Sequence, residues 1–315
     1  MAPAASGYLL LLVTSLGWSG AWIVARAAAH EVSPLAATVG RFAIAAVALL
    51  PAWYLLDRGR DFRPTRREVL LLLAMAGTGI VGYTVLFLNG VRFAPASDGA
   101  IVTPALAGVF GMLLAWPALG HRPTGAEAAG AALALSGVIL VGWGVLRAEG
   151  LGSDRALGDG LFVLAAGAWG VYTVLGRRAS DRIPAVTGIL AASALGALLF
   201  APVVLAIEGP AVFAGWSALA WANVLYLGVG ATAVAFVTFY LGVQRVGVAR
   251  AAPFFGLVPV FAVLQAAWIL GEELTLLHAA GGALVVAGIA LPPLLARRAS
   301  RRAASRLAGP AGPGP

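Results

Sequence analysis

Ten long apolar runs, separated by short polar breaks, constrain this chain more than any other feature. They lie at approximately 7–26, 34–56, 68–90, 94–118, 125–146, 157–177, 184–206, 216–242, 248–270 and 277–296. An α-helix rises about 1.5 Å per residue, so roughly 20 apolar residues cross a hydrocarbon layer of about 30 Å. Each run has about that length, and in lipid only a helix or a closed barrel satisfies its own backbone amides. The chain is therefore predicted to be an all-α membrane protein with ten transmembrane helices. Its balance of 61% hydrophobic and 11% charged residues lies outside the range of water-soluble domains. The first run ends in Ala25-Arg26-Ala27, loosely like a processing site. It lacks the basic leading segment of a signal peptide and has a counterpart later in the chain, so it is read as helix 1.

The formal net charge of +8 comes without a single lysine. Nucleic-acid binding would need the arginines on one exposed face. They sit instead in short loops, and nucleic acid is excluded as a partner. Sixteen of the arginines fall in loops 2–3, 4–5, 6–7 and 8–9 and in the tail. Arg-rich short loops stay in the cytoplasm, which predicts both termini there and a multi-pass protein of the inner (plasma) membrane. Without lysine the chain cannot build a phosphate-binding loop of the ATPase type. Without cysteine, disulfides, thiolate metal sites and cysteine nucleophiles are also excluded. His30, His121 and His278 fall at span ends with no metal-ligand spacing. No metal or cofactor is expected.

The chain repeats. Leu119-Gly120 through Leu140 aligns without gaps to Leu270-Gly271 through Leu291, and ten of the 22 positions are identical, including Thr124/Thr275, Gly130/Gly281 and Gly137/Gly288. Trp18 answers to Trp169 at the same offset of 151, and Tyr83 answers to Phe236. Five crossings per repeat is an odd number, so the second half must be inverted relative to the first, as in transporters that work by alternating access. The expected organisation is a first repeat over 7–146, a second over 157–296, and a basic, disordered cytoplasmic tail over 297–315.

With the spans and the repeat established, the chain resembles the EamA-type exporters of the drug/metabolite transporter superfamily. The residues that carry this are Trp18-Ser19-Gly20, Arg41-Phe42, Trp169-Gly170-Val171-Tyr172-Thr173, Pro259-Val260-Phe261 and Leu270-Gly271-Glu272, in that order. The resemblance implies a secondary exporter of amino acids or other small metabolites, driven by proton exchange. The first half departs from the pattern at His121, where the second half and the family show glutamate.

In inverted-repeat transporters, interrupted helices at corresponding places mark the substrate site. Pro104 in helix 4 and Pro253 and Pro259 in helix 9 point to those helices, because proline removes an amide donor and clashes with the preceding turn. Arg41 lies about 10 Å inside its span, and a buried guanidinium needs a partner or a wet cavity. Asp98 lies at similar depth and is the expected partner, with Glu31 as its rival. Arg41 is a candidate carboxylate contact and Asp98 a candidate proton carrier, and a fixed ion pair between them is the alternative. Trp18, Trp22, Trp169 and Tyr172 share helix faces and offer flat rings for substrate. Tyr83, Tyr240, Gln244 and Gln265 add hydrogen-bonding side chains to the substrate set. A small molecule and the lipid bilayer are the expected partners, with a homodimer left open. The spans offer one Arg, one Asp and no histidine, too little for the catalytic cluster of a lipid-modifying enzyme, which ranks behind a transporter; a non-transporting scaffold is the third reading, which the sequence alone leaves open.

Overall fold

The computed structural model describes residues 3–60, 62–179 and 182–307. Among them are ten helices long and apolar enough to cross a bilayer, and no strand. In chain order α1 is Pro3–Ala27, α2 Pro34–Leu56, α3 Arg66–Phe93, α4 Ala96–Leu119 and α5 Gly125–Ala148. Then follow α6 Asp154–Ala179, α7 Ala185–Glu208, α8 Ala218–Val246, α9 in two pieces, Val248–Phe255 and Leu257–Leu270, and α10 Leu276–Leu307. The expected disordered tail does not begin at 297. α10 runs on to Leu307 through a stretch of alanine and arginine, both strong helix formers. Residues 308–315 lie outside the described residues.

Local chemistry sets the helix ends. Ser33, Thr65, Thr124 and Ser217 each accept the backbone N–H three residues on, and so cap α2, α3, α5 and α8. Gly120 (φ 71°) and Gly271 (φ 68°) end α4 and α9 in the left-handed conformation that glycine adopts without penalty. The Leu-Gly pair repeated at offset 151 is thus a helix stop.

The repeated glycines have a packing role. α5 lies against α10, where a Cβ at Gly288 would stand 2.5 Å from the Gly130 carbonyl oxygen and one at Gly130 would stand 2.6 Å from the Gly288 oxygen. Gly137 and Gly281 meet in the same way. Close backbone approach of this kind is how membrane helices gain contact where lipid offers no hydrophobic drive. Because Gly130 corresponds to Gly281 and Gly137 to Gly288, the contact maps onto itself under exchange of the halves. Elsewhere the halves interlock: α1 packs on α8 and α9, and α6 packs on α3 and α4. One core cluster draws Trp22 and Phe87 from the first half and Phe162 and Leu227 from the second. The architecture is two inverted five-helix repeats.

The interruptions are not where proline alone puts them. α4 continues through Pro104. α9 does break, at Gly256, where Pro259 would clash with the carbonyl four residues earlier. Sequence reasoning missed two π-helical segments, Ala76–Gly82 in α3 and Tyr226–Val234 in α8. Gly77-Thr78-Gly79 of the first corresponds to Gly228-Val229-Gly230 of the second at offset 151, so the backbone is widened at matching places in both halves.

Candidate functional site

A cavity of about 570 Å³ lies between the repeats. Its walls include Trp18 and Trp22 from α1, Arg41 and Phe42 from α2, Tyr83 and Phe87 from α3, Pro104 and Gly108 from α4, Trp169 and Tyr172 from α6, Phe236 from α8 and Phe255 from α9. It extends to Leu119, His121, Glu127 and Arg177, which lie at the end of the molecule where the Arg-rich loops gather.

The rings form a sleeve. Trp22 meets Phe87 edge-on at 4.7 Å, Phe87 stacks on Tyr83 at 5.8 Å, and Tyr83 meets Trp169 at 4.9 Å. Phe236 then joins Trp169 at 6.4 Å to Trp18 at 5.4 Å, and Trp18 meets Phe255 at 5.3 Å. Tyr83 with Trp169 and Phe236 with Trp18 are the same pair in the two repeats. The π segment in α3 completes this wall, because Gly79 lets the Tyr172 ring lie directly on the backbone, leaving no room for a Cβ.

Arg41 is 7% exposed and lines the cavity. Its Nε donates to Thr232 Oγ1 at 3.1 Å, and Thr232 donates in turn to the Leu227 carbonyl five residues back, inside the π segment of α8. Neither expected acid reaches it. Asp98 pairs elsewhere, and Glu31 accepts from Ser217 Oγ at 2.9 Å. Among the described residues no carboxylate stands within ion-pair distance of Arg41. Two further cavity residues, Thr84 and Thr103, carry hydroxyls with no hydrogen-bond partner. A buried guanidinium and orphan hydroxyls inside an aromatic sleeve suit a ligand with a carboxylate head and a flat apolar body.

Asp98 belongs to a cluster at the other end of the molecule. Its carboxylate takes a two-pronged contact from Arg155, Nε to Oδ2 at 2.7 Å and Nη2 to Oδ1 at 3.1 Å. His278 Nε2 reaches Oδ1 at 2.7 Å. The Thr275 amide donates to His278 Nδ1 at 3.1 Å, which leaves Nε2 to carry the ring proton toward Asp98. Arg155 also holds Glu149 at 3.2 Å. Beside the cluster, Glu272 accepts the Ala96 and Ser97 amides at 2.7 and 3.0 Å, satisfying orphan donors at the start of α4. These contacts join α4 to α6, α10 and the loop before α10, and they seal that end.

The remaining expected site residues stand apart from the cavity. Tyr240 accepts from Arg60 Nη2 at 3.5 Å and packs behind the cavity wall in the cluster of Phe42, Tyr172 and Phe236, Gln244 is exposed, and Gln265 donates to Ser19 Oγ at 2.8 Å, tying α9 to α1. Pro253 and Pro259 shape α9 without lining the cavity, although Phe255 and Val258 between them do. His278, Arg155 and Glu272 escaped sequence reasoning because they sit at span ends, where polar residues are ordinary. For the two π segments, the signal in the sequence was the matched glycines in α3 and α8.

Comparison with known proteins agrees with this geometry. Residues 5–143 and 156–292 each match the EamA-like transporter family. A protein of Archaeoglobus fulgidus named as an uncharacterized transporter is 30% identical over 90% of this chain and 96% of its own length. The "Probable terminal-alkyne amino-acid exporter" of Streptantibioticus cattleyicolor is 30% identical over 89% of this chain and 91% of its own. The "Aromatic amino acid exporter YddG" of Ancylobacter novellus is 32% identical over 70% and 75% respectively. A solved crystal structure, 26% identical, superposes with a TM-score of 0.65 over 93% of this chain and 98% of that one. A ten-helix, two-repeat bundle that matches twice over nearly its whole length belongs to the EamA-like transporter family, a family of multi-pass membrane transporters.

Proposed function

We propose that this chain is a secondary active exporter of small carboxylate-bearing metabolites, amino acids among them. Arg41 binds the carboxylate and the aromatic sleeve holds the apolar body. The carrying observation is the buried guanidinium that lines a 570 Å³ cavity with no carboxylate within ion-pair distance among the described residues. The two relatives named as amino-acid exporters support the substrate class. With the Arg-rich end in the cytoplasm, as the arginine distribution argues, the conformation described here is open to the cytoplasm and closed outside. Alternating access then rocks the interlocked halves about the α5–α10 contact.

Asp98 is the proposed coupling group. A proton on it removes the anion that Arg155 and His278 hold, and so loosens the outer seal. Glu149 on Arg155 and Asp159 one helical turn further along α6 are the other charges at that cluster.

Proteoliposomes with labelled amino acids and aromatic carboxylates inside test the substrate class. Carboxylates are expected to leave down an imposed gradient without nucleotide, and their amides to stay. Equal flux of the amides would remove Arg41 from recognition, and strict dependence on ATP would overturn secondary transport.

A further inference from the structure

The sealed end has a counterpart at the open end that no contact in this conformation displays. Offset 151 maps His278 onto Glu127 and Glu272 onto His121, so histidine and glutamate trade places between the two ends. His278 and Glu127 are each the third residue of their helices, α10 and α5, behind the threonines Thr275 and Thr124. Each spends one atom on that threonine: His278 gives Nδ1, and Glu127 gives Oε2, which accepts the Thr124 amide at 2.7 Å. Each then has one atom left to face inward. In His278 it is Nε2, engaged with Asp98. In Glu127 it is Oε1, which His121 Nε2 meets at 3.2 Å at the cavity mouth.

The partner of His278, Asp98, is the third residue of α4. The third residue of α9 is Arg250, which is exposed here. An acid at the third position of α4 thus corresponds, at a local offset of 152, to a base at the third position of α9, so the residue types at the two ends are reversed in sign and equally complementary. The first piece of α9 that carries Arg250 is eight residues long, bounded by Gly247 at φ 82° and by the break at Gly256, so it can swing as a unit.

We propose that Arg250 and Glu127 form the charge pair that closes the Arg-rich end when the Asp98 cluster opens. The proposal rests on alternating access. It also accounts for the conformation observed, because Arg155 corresponds to Ala4 and Glu272 to His121. The Arg-rich end therefore has a pair where the other end has a triad and a clasp, and the seal made in this structure is the stronger one.

The chain has no cysteine, so one introduced thiol reports on access. Gly108 lines the cavity and has open space beside its Cα. In Gly108→Cys protein in proteoliposomes, a membrane-impermeant maleimide applied to the Arg-rich end measures whether that end is open. Arg155→Ala, or Asp98→Asn where stranding the aspartate harms folding, breaks the seal and is expected to slow labelling by roughly tenfold or more. Adding Glu127→Arg should restore fast labelling, and adding Arg250→Glu to that variant should slow it again. If breaking the seal leaves labelling unchanged in both variants, the Asp98 cluster is not a gate and alternating access about it fails. If the seal responds but Glu127→Arg does nothing, or the charge swap does not reverse it, only the Arg250–Glu127 pair is overturned.

Discussion

At the scale of single residues, Arg41 shows how burial turns a charge into a demand for a ligand. A guanidinium 7% exposed inside a membrane span costs several kcal/mol unless something compensates it, and one hydroxyl of Thr232 with the Phe42 ring at 5.0 Å is little compensation. A hydrogen bond to a charged group is worth ~1.5–3 kcal/mol, so Arg41→Gln should weaken substrate binding by roughly 10–100-fold, measured as the shift in half-saturation of transport. Arg41→Lys should recover only part, since an ammonium lacks the planar fork that meets a carboxylate. For Asp98→Asn the expectation differs in kind. Folded protein should persist with an unaltered elution profile, flux driven by a pH gradient should fail, and exchange between equal pools should survive. Proton-driven flux at the wild-type rate in that variant would take Asp98 out of the coupling. Trp18, Trp169, Tyr83 and Arg41 were legible in the sequence because each sits deep in a span, where a large polar or aromatic side chain is conspicuous. Arg155 and His278 were not, because at a span end a charge reads as interfacial, and only folding brings them to Asp98. The expected Arg41–Asp98 pair fails for the same reason. Equal depth along two helices says nothing about which faces they present.

At the scale of elements, the repeated glycines of α5 and α10 are a packing code. Gly288→Val drives a side chain into the Gly130 carbonyl, and such overpacking costs ~1–3 kcal/mol. Gly142→Ala, on the same helix as Gly130 but with nothing within 4 Å, should be neutral or stabilising by up to ~1 kcal/mol. Thermal unfolding of the two variants in one detergent compares them directly. A similar loss in both would mean that helix propensity, not contact, is being measured. The sequence displayed these glycines as identities at a fixed offset, and contact between corresponding helices explains why both copies keep them. The π segments were harder to read, since a widened turn arises from what packs against it. Tyr172 on Gly79 and Thr232 under Arg41 are tertiary facts.

At the scale of the whole molecule, the odd number of spans in each repeat implies that equivalent loops lie on opposite sides. Reporter fusions after residue 60 and after residue 180 should both report the cytoplasm, and fusions in the loops between α5 and α6 and between α7 and α8 the outside. Sidedness shared by the loops before and after α7 would end the ten-span topology. Span number and inversion were legible because both follow from counting apolar runs, whereas the direction in which the cavity opens depends on which seal is made. One consequence of the solitary Arg41 is electrical. An empty site carries a positive charge that a monocarboxylate cancels and a zwitterion leaves in place. With the cytoplasm negative, each elementary charge moved through the full field is worth about 2.3 kcal/mol per 100 mV. For a monocarboxylate the membrane potential therefore draws the unloaded site back toward the cytoplasm and leaves the neutral loaded site free to travel outward, whereas with a zwitterionic amino acid the resting voltage of the cell pulls on the loaded and the empty site alike.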